Sequence, residues 1–215
     1  MQARGRQSRD IRSVYWIYRT RIYAWRNQPV QAKLARPLPN QIKEVYSAFG
    51  FRDPMQNEPY GADLQLVFQV NPKHPHPDNY FNDVGFQLYS AYLVDLLQGF
   101  DVRAEAFPVM TIDKSGNELR ILTYFVYHPL EGVLPAMDEE KSGWTGDRDE
   151  GIQSLILDYS KFEPRPLFYC NHIYVPLMRD DLKRAIEQSG ITGFDFFRPE
   201  SYHTGQNRSL LNFSV

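Results

Sequence analysis

Residues 78–127 read DNYFNDVGFQLYSAYLVDLLQGFDVRAEAFPVMTIDKSGNELRILTYFVY. Phe81, Val84, Leu88, Tyr92 and Leu96 recur at spacings of three and four, which puts them on one face of a helix. Asp78 can cap its start and Gly99 is placed to end it with a left-handed residue, so the spacing predicts a helix over 78–99. The pattern then changes. Val102, Ala104 and Ala106 begin a strand, Asp113-Lys114-Ser115-Gly116 is a turn, and Arg120 to Tyr127 is a second strand, so 101–127 reads as a β-hairpin.

Working outward, only one other stretch reads as a strong helix. Leu182, Ala185 and Ile186 share a face over 180–189, Gly190 closes the helix, and Ile191 can pack back on its last turn. The remaining regular segments read as strands. Ser13 to Trp25 is rich in aromatic and β-branched residues, and Leu64, Leu66, Phe68 and Val70 alternate with Gln65, Val67 and Gln69. Ile152 to Asp158, Leu167 to Tyr169, Ile173 to Val175 and Phe194 to Phe197 follow, with a turn at Asn171-His172. Gln41 to Phe49 reads as a short helix ended by Gly50. Many strands and two principal helices, without βαβ alternation, predict an α+β fold of mainly antiparallel strands. Residues 1–12 read as a disordered basic tail, and 13–215 as one domain with no linker-like shift in composition.

The 215 residues are 42% hydrophobic and 23% charged, as expected of a chain with a sizeable core. Residues 1–36 hold nine Lys or Arg against Asp10, so the net charge of −2 leaves −10 on the rest. An acidic body is the wrong footprint for a nucleic-acid-binding fold. Arg19 and Arg21 interrupt the apolar stretch from Val14 to Trp25, which therefore fails as a signal-peptide core. No apolar run is long enough to span a membrane. Cys170 is the lone cysteine, so no intramolecular disulfide can form, and a single thiol suits a reducing compartment. The expected location is cytoplasmic.

Catalytic motifs are missing from the sequence. It has neither G-x-G-x-x-G nor G-x-x-x-x-G-K-S/T, no G-x-S-x-G, no H-E-x-x-H and no helix-loop-helix calcium loop. His74 and His76 could face the same way and share a metal, but no local pair completes the ligand set, and the flanking prolines suit a rigid connector. Cys170 and His172 could share a strand face as nucleophile and base, yet Cys170 follows Leu167, Phe168 and Tyr169, which suits a small buried hydrophobe. His128 and His203 read as structural. The expectation is no catalytic residue, no metal and no cofactor.

Four segments carry a family resemblance. They are Ser90 to Leu97 preceding Phe107-Pro108-Val109; Tyr127 through Ala136-Met137-Asp138-Glu139-Glu140-Lys141-Ser142; Ile152 to Asp158 followed by Leu167-Phe168; and Ile173 to Phe194, where Asp181 to Glu187 leads to Gly190-Ile191-Thr192-Gly193-Phe194. In order and spacing they resemble the bacterial immunity-protein family numbered eleven among polymorphic toxin systems, first described as a myxobacterial domain of unknown function. The resemblance spans Ser90 to Phe197, half of the chain. It implies an immunity function: binding the catalytic domain of a cognate secreted toxin and neutralising it by protein–protein contact, with no chemistry of its own. The expected partner is therefore a protein, with no small-molecule substrate and no membrane.

Many toxin domains act on nucleic acid through basic clefts, onto which an acidic surface would steer itself. Residues 129–151 form a long irregular segment, and long segments of this kind are commonly functional. Asp138, Glu139, Glu140, Asp147, Asp149 and Glu150 would supply charge to a toxin contact, and Trp144 an aromatic anchor. The competing reading has Asp138 and Ser142 making local turn hydrogen bonds while the other acids are solvated. If the electrostatic reading fails, the tyrosine-rich strands at 14–25 and 121–127 become the contact candidates. Two rival functions stand beside immunity: a nucleic-acid-binding regulator that stacks bases on Tyr15, Trp16, Tyr18 and Trp25 within the basic segment 4–36, and a Cys170-dependent hydrolase.

Overall fold

The computed structural model describes residues 14–21, 23–25, 28–34, 66–82, 87–146, 151–173 and 175–203. The aromatic stretch near the start forms β1 (Tyr15–Thr20) and β2 (Tyr23–Trp25), followed by β3 (Gln28–Val30) and β4 (Lys33–Leu34). Next come β5 (Leu66–Gln69), β6 (Asn79–Tyr80), β7 (Leu88–Ser90) and helix α1 (Ala91–Gly99). The hairpin is β8 (Ala104–Ile112) and β9 (Tyr124–Pro129). β10 (Val133–Leu134), the single turn α2 (Glu139–Ser142), β11 (Leu167–Cys170), β12 (Pro176–Arg179), α3 (Asp180–Gln188) and β13 (Phe194–Phe197) complete the order. The expected tail at 1–12 and helix at 41–49 lie outside the described residues.

The fold is α+β. One sheet runs β10-β11-β12-β1-β13, antiparallel except for the β10–β11 pair. A second runs β4-β5-β8-β9-β7-β6, antiparallel except for β5–β8. The second sheet curls until its ends meet. Ala32, just before β4, bridges Asn82, just after β6, and the Ala32 amide donates to the Phe81 carbonyl at 2.9 Å. This joining protects what would otherwise be exposed edge strands. Leu66, Phe68, Tyr80, Leu88, Tyr124 and Val126 fill the space it encloses.

A second core lies where the two sheets and both long helices meet. Leu93, Val94 and Leu97 of α1, Leu182 and Ile186 of α3, Tyr18, Tyr89, Tyr127, Met178 and Phe194 form it. The opposite face of the five-stranded sheet packs Tyr15, Ile17, Phe168, Cys170 and Leu177 against Met137, Ile152 and Leu155. Each fully buried large side chain of this kind stabilises the fold by about 1.5–3 kcal/mol relative to exposure.

Three expectations are corrected. The helix predicted over 78–99 is the nine-residue α1, and its cap is Ser90, whose Oγ accepts from the Leu93 amide at 3.2 Å while donating to Asp78 Oδ1 at 2.6 Å. Leu88 belongs to a strand, Tyr92 is exposed, and the buried positions of α1 are Leu93, Val94 and Leu97. The left-handed residue after α1 is Asp101, with φ of 57°, in place of Gly99. Residues 152–158 form no strand beyond a single bridge, Met137 to Leu157. The end of α3 is as expected: Gly190 has φ of 72°, and the Ile191 amide reaches back to Ile186 at 3.2 Å. So is the hairpin, although its second strand starts at Tyr124 and the intervening turn is longer.

Candidate partner-binding site

The acidic segment after β10 is a compact knuckle. Asp138 caps α2, its carboxylate accepting from the Lys141 amide at 3.1 Å and from Lys141 Nζ at 2.6 Å. Those contacts, the Lys141 ammonium first, hold the Asp138 carboxyl below its ordinary range. Gly143 takes the left-handed conformation (φ 68°) that ends the turn, and its amide donates to Glu140 at 3.1 Å. Trp144 then donates from its backbone to Glu139 at 2.9 Å.

Ser142 bolts the knuckle to the body. It is fully buried, and its Oγ donates to the Ile156 carbonyl at 3.3 Å and accepts from the Ile156 amide at 3.0 Å. Strand pairing of residues 152–158 is confined to the Met137–Leu157 bridge, made by the Asp138 amide to Ile156 at 2.9 Å and the Asp158 amide to Ala136 at 2.8 Å, because the next amide available to a ladder, that of Ile156, is bonded to the Ser142 side chain instead.

The outer side of the knuckle is completed from the turn between β11 and β12. His172 has φ of 63°, uncommon for a residue with a side chain, and its ring stacks on Trp144 with centroids 5.1 Å apart and planes at 28°. His172 Nε2 lies 3.0 Å from Glu139 Oε1. Trp144 is half-buried, packed against the core that includes Met137, Ile152 and Cys170, while Glu140 is exposed. The structure thus brings Glu139, Trp144 and His172 together, places Asp138 in a capping role, and leaves Glu140 in solvent. Asp147, Asp149 and Glu150 lie outside the described residues. The sequence reading had missed His172 as a member of this cluster; the available signal was a histidine in a tight turn.

No protein-family model matches the chain, and no curated protein matches it.

The other candidates fall in distinct places. Tyr15 and Tyr18 are core residues, and so are Tyr124 and Tyr127, so these four rings are not exposed as contact surfaces or base-stacking platforms. Trp16 has Lys183 Nζ at 4.4 Å and Arg198 at 4.0 Å over its ring. The side chain of Trp25 lies outside the described residues. Cys170 is fully buried, and burial pushes its thiol up to about 12, so it stays protonated and out of reach of a substrate. His172 is engaged by Glu139 and Trp144 instead. His74 pairs with Asn71 at 3.0 Å, and His76 packs against Tyr80. Among the described residues no group of three His, Cys, Asp or Glu could hold a metal ion, and no helix is long and apolar enough to cross a membrane. A buried carboxylate the sequence had not flagged, Glu131, accepts from the Arg103 amide at 2.8 Å and from Arg165 Nη1 at 3.3 Å, a structural clamp beside the hairpin.

Proposed function

We propose that this chain is an immunity protein that binds and neutralises a cognate secreted bacterial toxin, using the face formed by the 138–144 knuckle and the 171–173 turn. The observation that carries the reading is the Glu139–His172–Trp144 cluster. A stacked aromatic pair with the Glu139 carboxylate at its edge is held rigid by the Asp138 cap, the Ser142 bolt and left-handed Gly143. Rigid aromatic anchors are what tight interfaces place at their centres, because little side-chain freedom is lost on binding. The acids suit a basic toxin cleft, where they would steer association and compete with phosphate.

The four segments behind the resemblance also belong together in space. α1, α3 and β13 share the core between the sheets, while Ala136, Met137, Ile152, Leu155 and Phe168 share the core on the far side of the five-stranded sheet. The resembling half therefore surrounds one sheet on both faces and presents the knuckle from it. The test is a pull-down with this chain, followed by a binding measurement against the purified protein encoded beside it. A one-to-one complex with a toxic neighbour supports immunity. Absence of binding to that neighbour, with retention of nucleic acid at low salt, would turn attention to the basic N-terminal segment.

A further inference from the structure

Two tryptophans of this chain sit in contrasting electrostatic surroundings. Trp16 is saturated: the Arg198 guanidinium lies 4.0 Å and the Lys183 ammonium 4.4 Å from its ring centroid, and its indole N–H donates to Asp180 Oδ1 at 2.8 Å. This is a complete assembly of indole, cation and carboxylate within one molecule. At Trp144 the indole and the carboxylates are present, with Glu139 at the stacked His172 and Glu140 exposed in the same turn. Among the described residues, however, no Lys or Arg lies over the Trp144 ring. The nearest cation in sequence, Lys141, is bound to Asp138 at 2.6 Å.

We infer that the Trp144–His172 stack, with Glu139 at its edge and Glu140 exposed in the same turn, receives an arginine side chain of the protein partner. The inference rests on the partner-binding reading of this face and names the chemistry it accepts. A guanidinium is planar, so it lies flat on an aromatic surface, and its fork of N–H donors matches a carboxylate. An ammonium could use the charge but not the plane. Phosphate is repelled by the same carboxylates, so nucleic acid does not fit here. The platform is set before binding, because Asp138, Ser142 and the left-handed His172 fix the backbone on both sides of it.

The test needs no toxin. The full chain, labelled at its three tryptophan indoles, is titrated with N-acetyl-arginine amide and with N-acetyl-citrulline amide, which has the same shape but no charge. The Trp144 signal is assigned by its loss in Trp144→Phe. Arginine amide is expected to move the Trp144 indole and His172 ring signals, binding roughly threefold more tightly than citrulline amide. The nearly isosteric double variant Glu139→Gln/Glu140→Gln should bring the arginine response down to the citrulline level while the Trp16 signal stays put. A Trp144 signal that ignores both compounds, responds equally to both, or responds to arginine undiminished in the double variant overturns the inference. A chain that takes arginine amide but no toxin would retire the immunity reading and leave this one standing. The reverse would retire this one alone.

Discussion

Gly193 lies so close to Asn79 that a Cβ on the glycine would stand 2.3 Å from the Asn79 carbonyl oxygen. This is the seam between the two sheets. The Asn79 amide donates to Thr192 at 3.1 Å, the Arg21 amide to Gly193 at 2.8 Å, and the Asp78 carboxylate accepts from the Thr192 amide at 2.9 Å. Gly193 also has φ of 96°, outside what L side chains readily adopt. Gly193→Ala is therefore expected to destabilise the protein by roughly 3 kcal/mol, from strain and clash together. Urea denaturation measures it; a cost below about 1 kcal/mol would mean the seam can open without penalty.

Ser142 ties the knuckle to the chain at Ile156 through two hydrogen bonds. Ser142→Ala removes both and leaves the partly buried Ile156 amide unpaired, while the Ile156 carbonyl keeps the Asp138 amide, a cost of about 1–3 kcal/mol. Hydrogen exchange should show the loss concentrated at residues 138–144 and 153–157. Uniform protection loss across the protein, or none, would contradict the bolt.

How much of this was legible in the sequence follows from which elements bury one face and which bury two. α3 is amphipathic, with Leu182 and Ile186 inward, and its pattern, cap and closing glycine could be read directly. β7 cannot be read that way: Leu88 faces the interior of the curled sheet and Tyr89 the core between the sheets. A strand buried on both faces loses its alternation, so its apolar residues merged with those of α1 into one apparent helical period. Asp78 looked like a cap because the residue type fits, but its carboxylate serves Ser90 and Thr192. At the site, the acids and Trp144 stood out by composition. His172 did not, because it arrives from another turn, 28 residues further along the chain than Trp144.

The buried tyrosines set the alkaline limit of stability. Burial pushes Tyr15, Tyr80 and Tyr202 each up to about 12, and raises Tyr18, Tyr89, Tyr124 and Tyr127 as well. An unfolded tyrosine ionises near 10. The folded state thus retains protons that the unfolded chain releases, so this stability is intact below about pH 10 and lost as pH rises from there toward 12. Tyrosinate absorbance should rise together with loss of the circular dichroism signal in that window. Early ionisation of most tyrosines in a still-folded protein would contradict the burial described.

Cys170 offers a simpler check. With the thiol fully buried and pushed up to about 12, a thiol-reactive probe at neutral pH should label it only at the rate of global or local unfolding, and rapidly in denaturant. Fast labelling of the native protein would revive the nucleophile reading.

The most direct test of the central claim is the affinity of the full chain for the protein encoded beside it, the proposed toxin, compared with that of Trp144→Ala and of Glu139→Gln/Glu140→Gln. The account predicts a one-to-one complex with a dissociation constant on the order of nanomolar, weakened about tenfold or more by either change, while both variants keep the wild-type fold. No complex, or a tight complex indifferent to both changes, would contradict it.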